Sequence, residues 1–191
     1  MKYEDIPFPS KYNENFRLRI YYDLPKLKYA VVLYLNINSL NIIPVRIHSS
    51  CLTGDIFNSL KCDCNEQLTS ALEYISNNKT GVLIYLPQEG RGIGLVNKIK
   101  AYKLQNDGLN TFEANAFLKL PIDNRDYSIC SGILYDLNIH KILLLTDNPH
   151  KFNALYNSNM FSSIQYYKSD SKVNKYNSKY LKDKRIFFSN L

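Results

Sequence analysis

Short apolar runs bounded by polar and turn-forming residues recur along the chain and predict β-strands. The predicted strands are Ala30–Ile37, Ile42–His48, Gly81–Leu86, Lys141–Leu145 and Ile164–Tyr167. Only Asn38–Asn41 separates the first two, so we predict that they form a hairpin. The runs Gly81–Leu86 and Lys141–Leu145 are apolar almost throughout, which is typical of buried strands.

Apolar residues at helical spacing predict helices between these strands. The predicted helices are Glu66–Ser76, Asn97–Asn106, Tyr127–Leu137 and a short helix from His150. Asp107 and Gly108 supply a C-terminal stop for the second of them. Because helices separate the strands, we predict a mixed α/β fold, a single domain with a mixed β-sheet flanked by helices.

The composition is that of an ordinary soluble globular protein. The chain has 191 residues, of which 45% are hydrophobic and 21% charged, enough to build a core. No apolar run reaches the roughly 18 residues that a membrane-spanning helix needs, and the first residues, MKYEDIPFPSKYNENF, lack the apolar stretch of a signal peptide. With four cysteines, three of them in metal-like spacing, the chain is expected in a reducing cytoplasm.

The net charge of +7 is concentrated at the C-terminus. From Lys168 onward, seven Lys or Arg residues accompany two Asp residues, so this segment carries +5 and the rest of the chain +2. A basic tail can attract polyanions, but a solvated, lysine-rich terminus is the commoner meaning of such a segment. We therefore expect neither a nucleic acid nor a membrane as a partner.

Three of the four cysteines, Cys51, Cys62 and Cys64, follow a C-x10-C-x-C pattern. Three thiolates are one ligand short of a closed zinc site, so the pattern suggests a metal with one position left for water or substrate. Cys62 and Cys64 would point to opposite faces of an extended strand, so a shared metal requires a bend there. Buried structural cysteines are the alternative, which the polar neighbours disfavour. Cys130, on the apolar face of a predicted helix, is expected in the core.

Three polar segments are candidates for ligand contacts. In Gln88–Gly94 (QEGRGIG), the glycines permit close backbone approach, Arg91 offers a bidentate donor for phosphate, and Glu89 offers an acceptor for base N–H groups. A plain turn is the alternative here, and a surface charge cluster is the alternative for Ile122–Asp126 (IDNRD). Thr146–Lys151 (TDNPHK) follows a predicted strand, at the sheet edge where α/β proteins bind ligands.

Taken together, these stretches resemble the GTP cyclohydrolase II family, the entry enzymes of riboflavin synthesis. The matching sequences are, in order, VRIHSSCLTGDIFNSLKCDCNEQL, QEGRGIGLVNKIKAYKLQNDG, NTFEANAFL, DNRDYSIC and LLLTDNP. The resemblance runs from about Val45 to Lys151, and the ends, residues 1–44 and 168–191, diverge. It implies one GTP cyclohydrolase II-like domain over residues 1–191, a homodimer, and a stand-alone cyclohydrolase without the dihydroxybutanone-phosphate synthase domain that some relatives carry.

The resemblance also implies a reaction and its cofactors. One zinc ion per subunit, held by Cys51, Cys62 and Cys64, would activate water for attack on C8 of the guanine of GTP. The imidazole ring then opens, C8 leaves as formate, and the triphosphate releases pyrophosphate. The implied product is 2,5-diamino-6-ribosylamino-4(3H)-pyrimidinone 5′-phosphate. Mg²⁺ bound to the triphosphate is expected, as in most nucleotide phosphoryl chemistry.

Catalytic and GTP-contacting positions follow from the same resemblance. Arg125 matches the family's proposed nucleophile on the α-phosphorus and Asp123 its proton acceptor, although a guanidinium that stays protonated suits charge stabilisation better. Tyr102 matches the tyrosine near the ring-opening chemistry. The implied GTP contacts are Arg46, Ile47, His48, Ser49, Ser50, Gln67, Glu89, Gly90, Arg91, Thr111, Thr146 and Lys151.

Two alternatives stay open on the sequence alone. The first is a GTP-binding relative that stops at a formylated intermediate or is inactive; the retained Tyr102, Asp123 and Arg125 weigh against it. The second is a basic nucleic-acid-binding protein with a structural zinc. It would need a fourth ligand, for which His48 is the nearby candidate, and a basic face on the folded body.

Overall fold

The structure is a computed structural model that describes residues 1–23, 28–167 and 173–189. Its strands form a seven-stranded mixed sheet with the order β1-β2-β3-β5-β4-β6-β7. The strands are β1 (Lys2–Pro7), β2 (Arg17–Asp23), β3 (Lys28–Leu35), β4 (Ile43–Ser49), β5 (Gly81–Leu86), β6 (Lys141–Leu145) and β7 (Ser163–Tyr167). The predicted mixed α/β class is confirmed.

One side of the sheet is antiparallel and the other is parallel. β1, β2 and β3 pair antiparallel in sequence order, and β3 also pairs antiparallel with β5. β4 pairs parallel with β6, and β6 pairs parallel with β7. The predicted hairpin between the strands on either side of Asn38–Asn41 is therefore wrong. β4 is buried along nearly its whole length and lies between β5 and β6, so its partners are distant in sequence.

Helices lie between β4 and β5, between β5 and β6, between β6 and β7, and after β7. They are α1 (Leu52–Asp55), α2 (Cys64–Asn77), α3 (Leu95–Asn106), α4 (Thr111–Phe117), α5 (Ser128–Asp136), α6 (Pro149–Tyr156) and α7 (Ser178–Ser189). The four predicted helices correspond to α2, α3, α5 and α6. The asparagine Asn110 begins α4 through a capping box with Glu113, and Asn148 caps α6 ahead of Pro149, so local sequence explains both starts.

The chain divides into two compact units, and each is built from three stretches of sequence. The sheet unit comprises Met1–His48, Glu66–Pro87 and Tyr127–Asp170. The cysteine unit comprises Ser49–Asn65, Gln88–Asp126 and Ser171–Leu191. The proposed boundaries of one domain over residues 1–191 stay a prediction. The start of the predicted basic tail, residues 168–172, lies outside the described residues.

Two apolar clusters form the core of the sheet unit. Alternate residues of a strand enter different clusters: Val82 and Ile84 of β5 join one, and Leu83 joins the other. Because successive side chains of a strand point to opposite faces, the clusters lie on the two faces of the sheet. Helices α5 and α6 contribute to the first and α2 to the second. Cys130 of α5 is fully buried in the first cluster, as predicted.

None of the helices in the described part of the chain is long and apolar enough to cross a membrane.

Candidate metal and nucleotide site

The three cysteines of the C-x10-C-x-C pattern come together in the cysteine unit. Cys51 is the residue before α1, Cys62 lies in the following loop, and Cys64 is the first residue of α2. Their Sγ atoms all lie within 4.8 Å of one another, and the Sγ atoms of Cys51 and Cys62 are 3.7 Å apart. The loop at Cys62 supplies the bend that a shared metal requires. Across residues 1–23, 28–167 and 173–189, no other His, Cys, Asp or Glu joins this group.

A glycine keeps the space between the three cysteines open. A Cβ atom added at Gly54 of α1 would lie 2.9 Å from the Cβ of Cys64, 3.0 Å from the Sγ of Cys62 and 3.1 Å from the Sγ of Cys51. Any side chain at this position would therefore push into the thiol groups. The space between the three sulfur atoms stays free because Gly54 has no side chain. A free space among three thiol groups fits the binding of a metal ion.

The protonation states of the thiols also fit a metal site. Hydrogen bonds from Cys62 and Cys64, aided by Lys98, lower the pKa of Cys51 far below its usual range. The hydrogen bond to Cys51 raises the pKa of Cys62 to about 11, and hydrogen bonds to both neighbours together with burial raise the pKa of Cys64. The pKa of Cys51 is thus shifted down and those of Cys62 and Cys64 up, and binding of a metal by all three requires each thiol to lose its proton. A tri-thiolate donor set is one that Zn²⁺ accepts.

A buried lysine lies against this cluster. The Nζ of Lys98 on α3 donates to the Sγ of Cys51 at 3.1 Å, to Oγ1 of Thr53 at 2.9 Å and to Oε1 of Glu89 at 2.8 Å. Burial favours the neutral amine, but Tyr102, the hydrogen bond to Glu89 and Cys51 outweigh it and raise the pKa of Lys98. The side chain therefore stays a cation at neutral pH.

Glu89 connects the glycine-arginine loop to the start of α1. Its Oε2 accepts the backbone N–H of Leu52 at 2.6 Å, and its Oε1 accepts the backbone N–H of Gly90 at 3.1 Å as well as the Lys98 amine. The carboxylate of Glu89 therefore positions the backbone of Leu52 and the amine of Lys98. Its predicted contact with a guanine base stays a prediction.

The glycine-arginine loop forms a 3-10 turn, Glu89–Gly92, in which two successive residues have left-handed backbones. Gly90 has φ 61° and Arg91 has φ 60°. Gly92 allows close contact with the second polar segment, since a Cβ there would lie 2.8 Å from the carbonyl oxygen of Asn124. The backbone N–H of Asn124 in turn donates to the carbonyl of Arg91 at 2.9 Å. The two segments are therefore held side by side by their backbones.

Asp123 and Arg125 form a tight ion pair next to this loop. The Nε of Arg125 donates to Oδ1 of Asp123 at 2.9 Å, its Nη2 contacts Oδ2, and its backbone N–H donates to Oδ1 at 3.1 Å. Burial raises the pKa of Asp123, but Arg125 lowers it more, so the pKa lies below its usual range. The carboxylate is a weak base that fixes the direction of the guanidinium.

A cavity of about 420 Å³ lies within the cysteine unit. That volume is in the range of roughly 300–1,000 Å³ typical of small-molecule sites. Its lining includes the three cysteines, Lys98 and eight of the residues predicted to bind or convert GTP, namely Ser49, Ser50, Glu89, Gly90, Arg91, Tyr102, Thr111 and Arg125. The Oγ of Ser49 is buried and has no hydrogen-bond partner among the described residues, so it is available to a ligand.

Helix α7 contributes a wall of this cavity that the sequence analysis did not predict. Lys179, Tyr180 and Asp183 of α7 line it, together with Lys175 and Tyr176 just before the helix. The Oγ1 of Thr111 donates to Oδ2 of Asp183 at 2.9 Å, and the guanidinium carbon of Arg91 lies 6.0 Å from the ring centroid of Tyr180. The Nζ of Lys184 donates to Oδ2 of Asp63 at 3.2 Å. Asp63 is the residue between Cys62 and Cys64 in the sequence.

The model of one protein family matches residues 2–161, and its description is GTP cyclohydrolase II. The chain belongs to the GTP cyclohydrolase II family. The family predicted from the motifs is thereby confirmed. The match includes residues 2–44, which precede the stretch of motifs that begins at about Val45.

Curated proteins of the family extend the comparison. A GTP cyclohydrolase-2 from Picrophilus torridus is 42% identical over 153 residues, covering 80% of this chain and 79% of the relative. A riboflavin biosynthesis protein RibBA from Endomicrobium trichonymphae is 44% identical over 185 residues, covering 95% of this chain. The chain spans 45% of the length of that RibBA relative.

A third relative is more similar over a shorter stretch. The RibBA protein from Bacillus cytotoxicus is 57% identical over 111 residues, which cover 58% of this chain and 28% of the relative. Among solved structures, RibBX, a two-domain 3,4-dihydroxy-2-butanone 4-phosphate synthase from A. baumannii, has a TM-score of 0.48 and 18% identity over 89% of this chain and 40% of that chain. That likeness is too low to support a statement about function.

The remaining GTP contacts implied by the family lie in the sheet unit. They are Arg46, Ile47, His48, Gln67, Thr146 and Lys151. Arg46 of β4 is buried and donates to Gln67 and, at 2.9 Å, to the carbonyl of Leu145. The amine of Lys151 donates to the carbonyl of Ile47 at 2.8 Å. These six residues therefore group around the ends of β4 and β6, as the strand pattern predicted for Thr146–Lys151.

His48 is packed as a core residue in this structure. Its ring stacks on Tyr85 of β5, with centroids 5.6 Å apart. It does not belong to the cysteine cluster, so the fourth zinc ligand that a closed structural site would need is missing from the described residues. This removes the main support for a nucleic-acid-binding protein with a structural zinc.

Proposed function

We propose that this chain hydrolyses GTP to 2,5-diamino-6-ribosylamino-4(3H)-pyrimidinone 5′-phosphate, formate and pyrophosphate, the first step of riboflavin biosynthesis. Family membership supports the reaction. The observation that carries it is one cavity lined by both the three cysteines and two arginines, Arg91 and Arg125. A metal-binding end and an anion-binding end in one cavity suit a nucleotide whose base and triphosphate both react.

At the metal-binding end, Cys51, Cys62 and Cys64 would hold one Zn²⁺ per subunit. When bound, zinc supplies Lewis acidity that activates water for attack on C8 of guanine. Gly54 keeps the position between the sulfurs clear, and Lys98 offsets part of their negative charge.

Tyr102 on α3 would act as a hydrogen-bond donor beside the reacting ring. Burial, only partly opposed by Lys98, raises the pKa of Tyr102 to about 12. The phenol is therefore protonated at neutral pH and can donate its O–H to charge that develops as the imidazole ring opens. Its ring also lies 5.6 Å from the Lys98 amine and 5.1 Å from that of Lys61, which fixes its orientation.

At the anion-binding end, Arg91 and Arg125 would contact the phosphates. A guanidinium stays protonated, so Arg125 would stabilise charge on the α-phosphate as pyrophosphate leaves, with Asp123 holding it in place. Mg²⁺ on the triphosphate would neutralise further charge. The GTP contacts implied for the sheet unit are part of this proposal, as are a homodimer and a location in the cytoplasm.

Incubation of the protein with GTP, Mg²⁺ and Zn²⁺ tests the proposal. Formate, pyrophosphate and the diaminopyrimidine should appear in equal amounts. Pyrophosphate without formate would instead identify a relative that stops at the formylated intermediate. Absence of all three products from a zinc-loaded protein that binds GTP would contradict the enzyme assignment.

A further inference from the structure

Lys98 was described above only as offsetting charge and orienting Tyr102, yet its amine is buried and makes a direct contact with the cysteine cluster. The residue is 8% exposed, and its amine has three partners between 2.8 and 3.1 Å: Glu89, Thr53 and Cys51. Burying an ammonium group is unfavourable unless its hydrogen bonds are satisfied. Here all three of its protons have acceptors, one of which is a sulfur of the metal-binding cluster.

Local backbone structure brings the lysine to that place. Gly94, with φ 86°, precedes α3, and the N–H of Lys98 donates to its carbonyl at 3.1 Å in the first turn. A Cβ added at Gly90 would lie 3.0 Å from the Cβ of Lys98. Gly90 therefore leaves room for the aliphatic part of the Lys98 side chain.

The hydrogen bond from Lys98 to Cys51 would change how strongly the sulfur donates electrons to a bound metal. Three thiolates around a divalent cation carry a net charge of −1, and strong donation by three sulfurs weakens the cation as a Lewis acid. An ammonium proton shared with one sulfur withdraws electron density from that sulfur. Glu89 and Thr53 hold the amine on the sulfur, because each occupies one of its other two protons.

We propose that Lys98 is a positioning residue that tunes the metal site through an N–H···S hydrogen bond to Cys51, held in place by Glu89 and Thr53. This inference rests on the proposed function only in requiring a metal at the three cysteines. Lys98 need not touch GTP. Its effect reaches the reaction through the electron density on one sulfur.

Cobalt substitution measures that electron density directly. Co²⁺ bound to thiolates shows a sulfur-to-metal charge-transfer band, whose energy falls when the sulfur loses a hydrogen bond and becomes easier to oxidise. The Co²⁺-loaded wild type, Lys98→Met and Lys98→Arg are compared, with Lys100→Met as the matched control. Lys100 is an exposed lysine of the same helix.

In Lys98→Met we expect the band to move to lower energy with one Co²⁺ still bound per subunit, and GTP turnover to fall about 10–100-fold. Lys98→Arg should retain most of the wild-type band energy, and Lys100→Met all of it. If Lys98→Met does not fold, Lys98→Gln, which keeps a neutral N–H donor, should show a smaller shift in the same direction.

An unshifted band in Co²⁺-loaded Lys98→Met, or in Lys98→Gln if Lys98→Met does not fold, would overturn the role of Lys98 while leaving the proposed reaction intact. A wild-type protein that binds neither Co²⁺ nor Zn²⁺ at the cysteines would contradict the proposed function itself. The two failures are therefore distinguishable.

Discussion

Asp123 holds the guanidinium of Arg125 on both carboxylate oxygens and also accepts the backbone N–H of the same residue. A contact from a backbone N–H to the Asp side chain two residues earlier is typical of a turn, so the backbone from Asp123 to Arg125 is bent. Here the intervening Asn124 is held by Arg91, so the loop shape and the ion pair depend on each other. The pair fixes one direction for the arginine in the cavity.

Replacing Asp123 by Asn keeps the shape but removes the charge that orients Arg125. We expect kcat for pyrophosphate release to fall about tenfold or more, whereas Arg125→Met should fall about 10²–10³-fold, as for loss of a group that stabilises transition-state charge. Steady-state assays of pyrophosphate test both. Equal losses in the two variants would mean that Asp123 itself takes part in proton transfer.

The same pair predicts a pH dependence of stability. The pKa of Asp123 is lower in the folded chain than its usual 3.8, so the pair stabilises the fold above that value and this contribution is lost as the pH falls through the folded pKa. The stability difference between wild type and Asp123→Asn should be constant from about pH 5 to 8 and shrink below about pH 4. Urea unfolding at several pH values measures it. A difference that shrinks near neutral pH would contradict the low pKa.

Loss of one cysteine sulfur should abolish metal binding and ring opening together. We expect Cys62→Ser to bind less than stoichiometric zinc and to release no formate, because a hydroxyl is a poor replacement for a thiolate ligand. Metal analysis and a formate assay measure the two effects. Cys130→Ala removes a core cysteine of the sheet unit and should retain both zinc and formate release. Ring opening by Cys62→Ser would place the catalytic site elsewhere.

Gly54→Ala tests the space between the sulfurs without removing a ligand. The new methyl group would meet all three cysteines at 2.9–3.1 Å, so they must move apart and zinc affinity should fall at least tenfold. Competition with a chromophoric chelator gives the affinity. Gly132→Ala, where the added carbon meets only the end of the Met1 side chain at 3.3 Å, is the control and should bind zinc normally. Normal affinity in Gly54→Ala would show that the metal lies outside the three sulfurs.

Tyr102→Phe removes the protonated phenol beside the reacting ring. We expect pyrophosphate release to continue while the ratio of formate to pyrophosphate falls several-fold, since the O–H no longer supports ring opening. Mass spectrometry of the product detects the formylated species. The exposed Tyr135, changed to Phe, serves as the control. An unchanged ratio in Tyr102→Phe would remove the tyrosine from the chemistry.

The sequence predicted those elements whose pattern is local. The strands Gly81–Leu86 and Lys141–Leu145 match β5 and β6 in full, because central strands are apolar along their length. β1 and β2 lack this pattern: β1 lies at the sheet edge and is mostly exposed, so its residues are largely polar. Which strands are neighbours depends on contacts between distant residues, and so a short turn-like segment predicted a hairpin that does not exist.

Within the site, motifs identified the cysteines and the loop residues but not Lys98 or α7. A lysine in an amphipathic helix normally faces water, and nothing in its spacing indicates that a carboxylate, a hydroxyl and a thiol will enclose it. The residues of α7 follow a lysine- and asparagine-rich stretch whose composition is typical of a solvated tail. Their place in the cavity depends on a tertiary contact between Thr111 and Asp183, which are 72 positions apart in the sequence.

Because the cysteine unit is built from three separate stretches of sequence, its parts are synthesised at different times. Its third stretch, Ser171–Leu191, is synthesised after the other two, Ser49–Asn65 and Gln88–Asp126. The three cysteines are all present once Cys64 is synthesised, whereas the cavity wall with Tyr180 and Asp183 is synthesised much later. A nascent chain would therefore acquire its metal site well before it can enclose a nucleotide, and the order of synthesis separates these two steps in time.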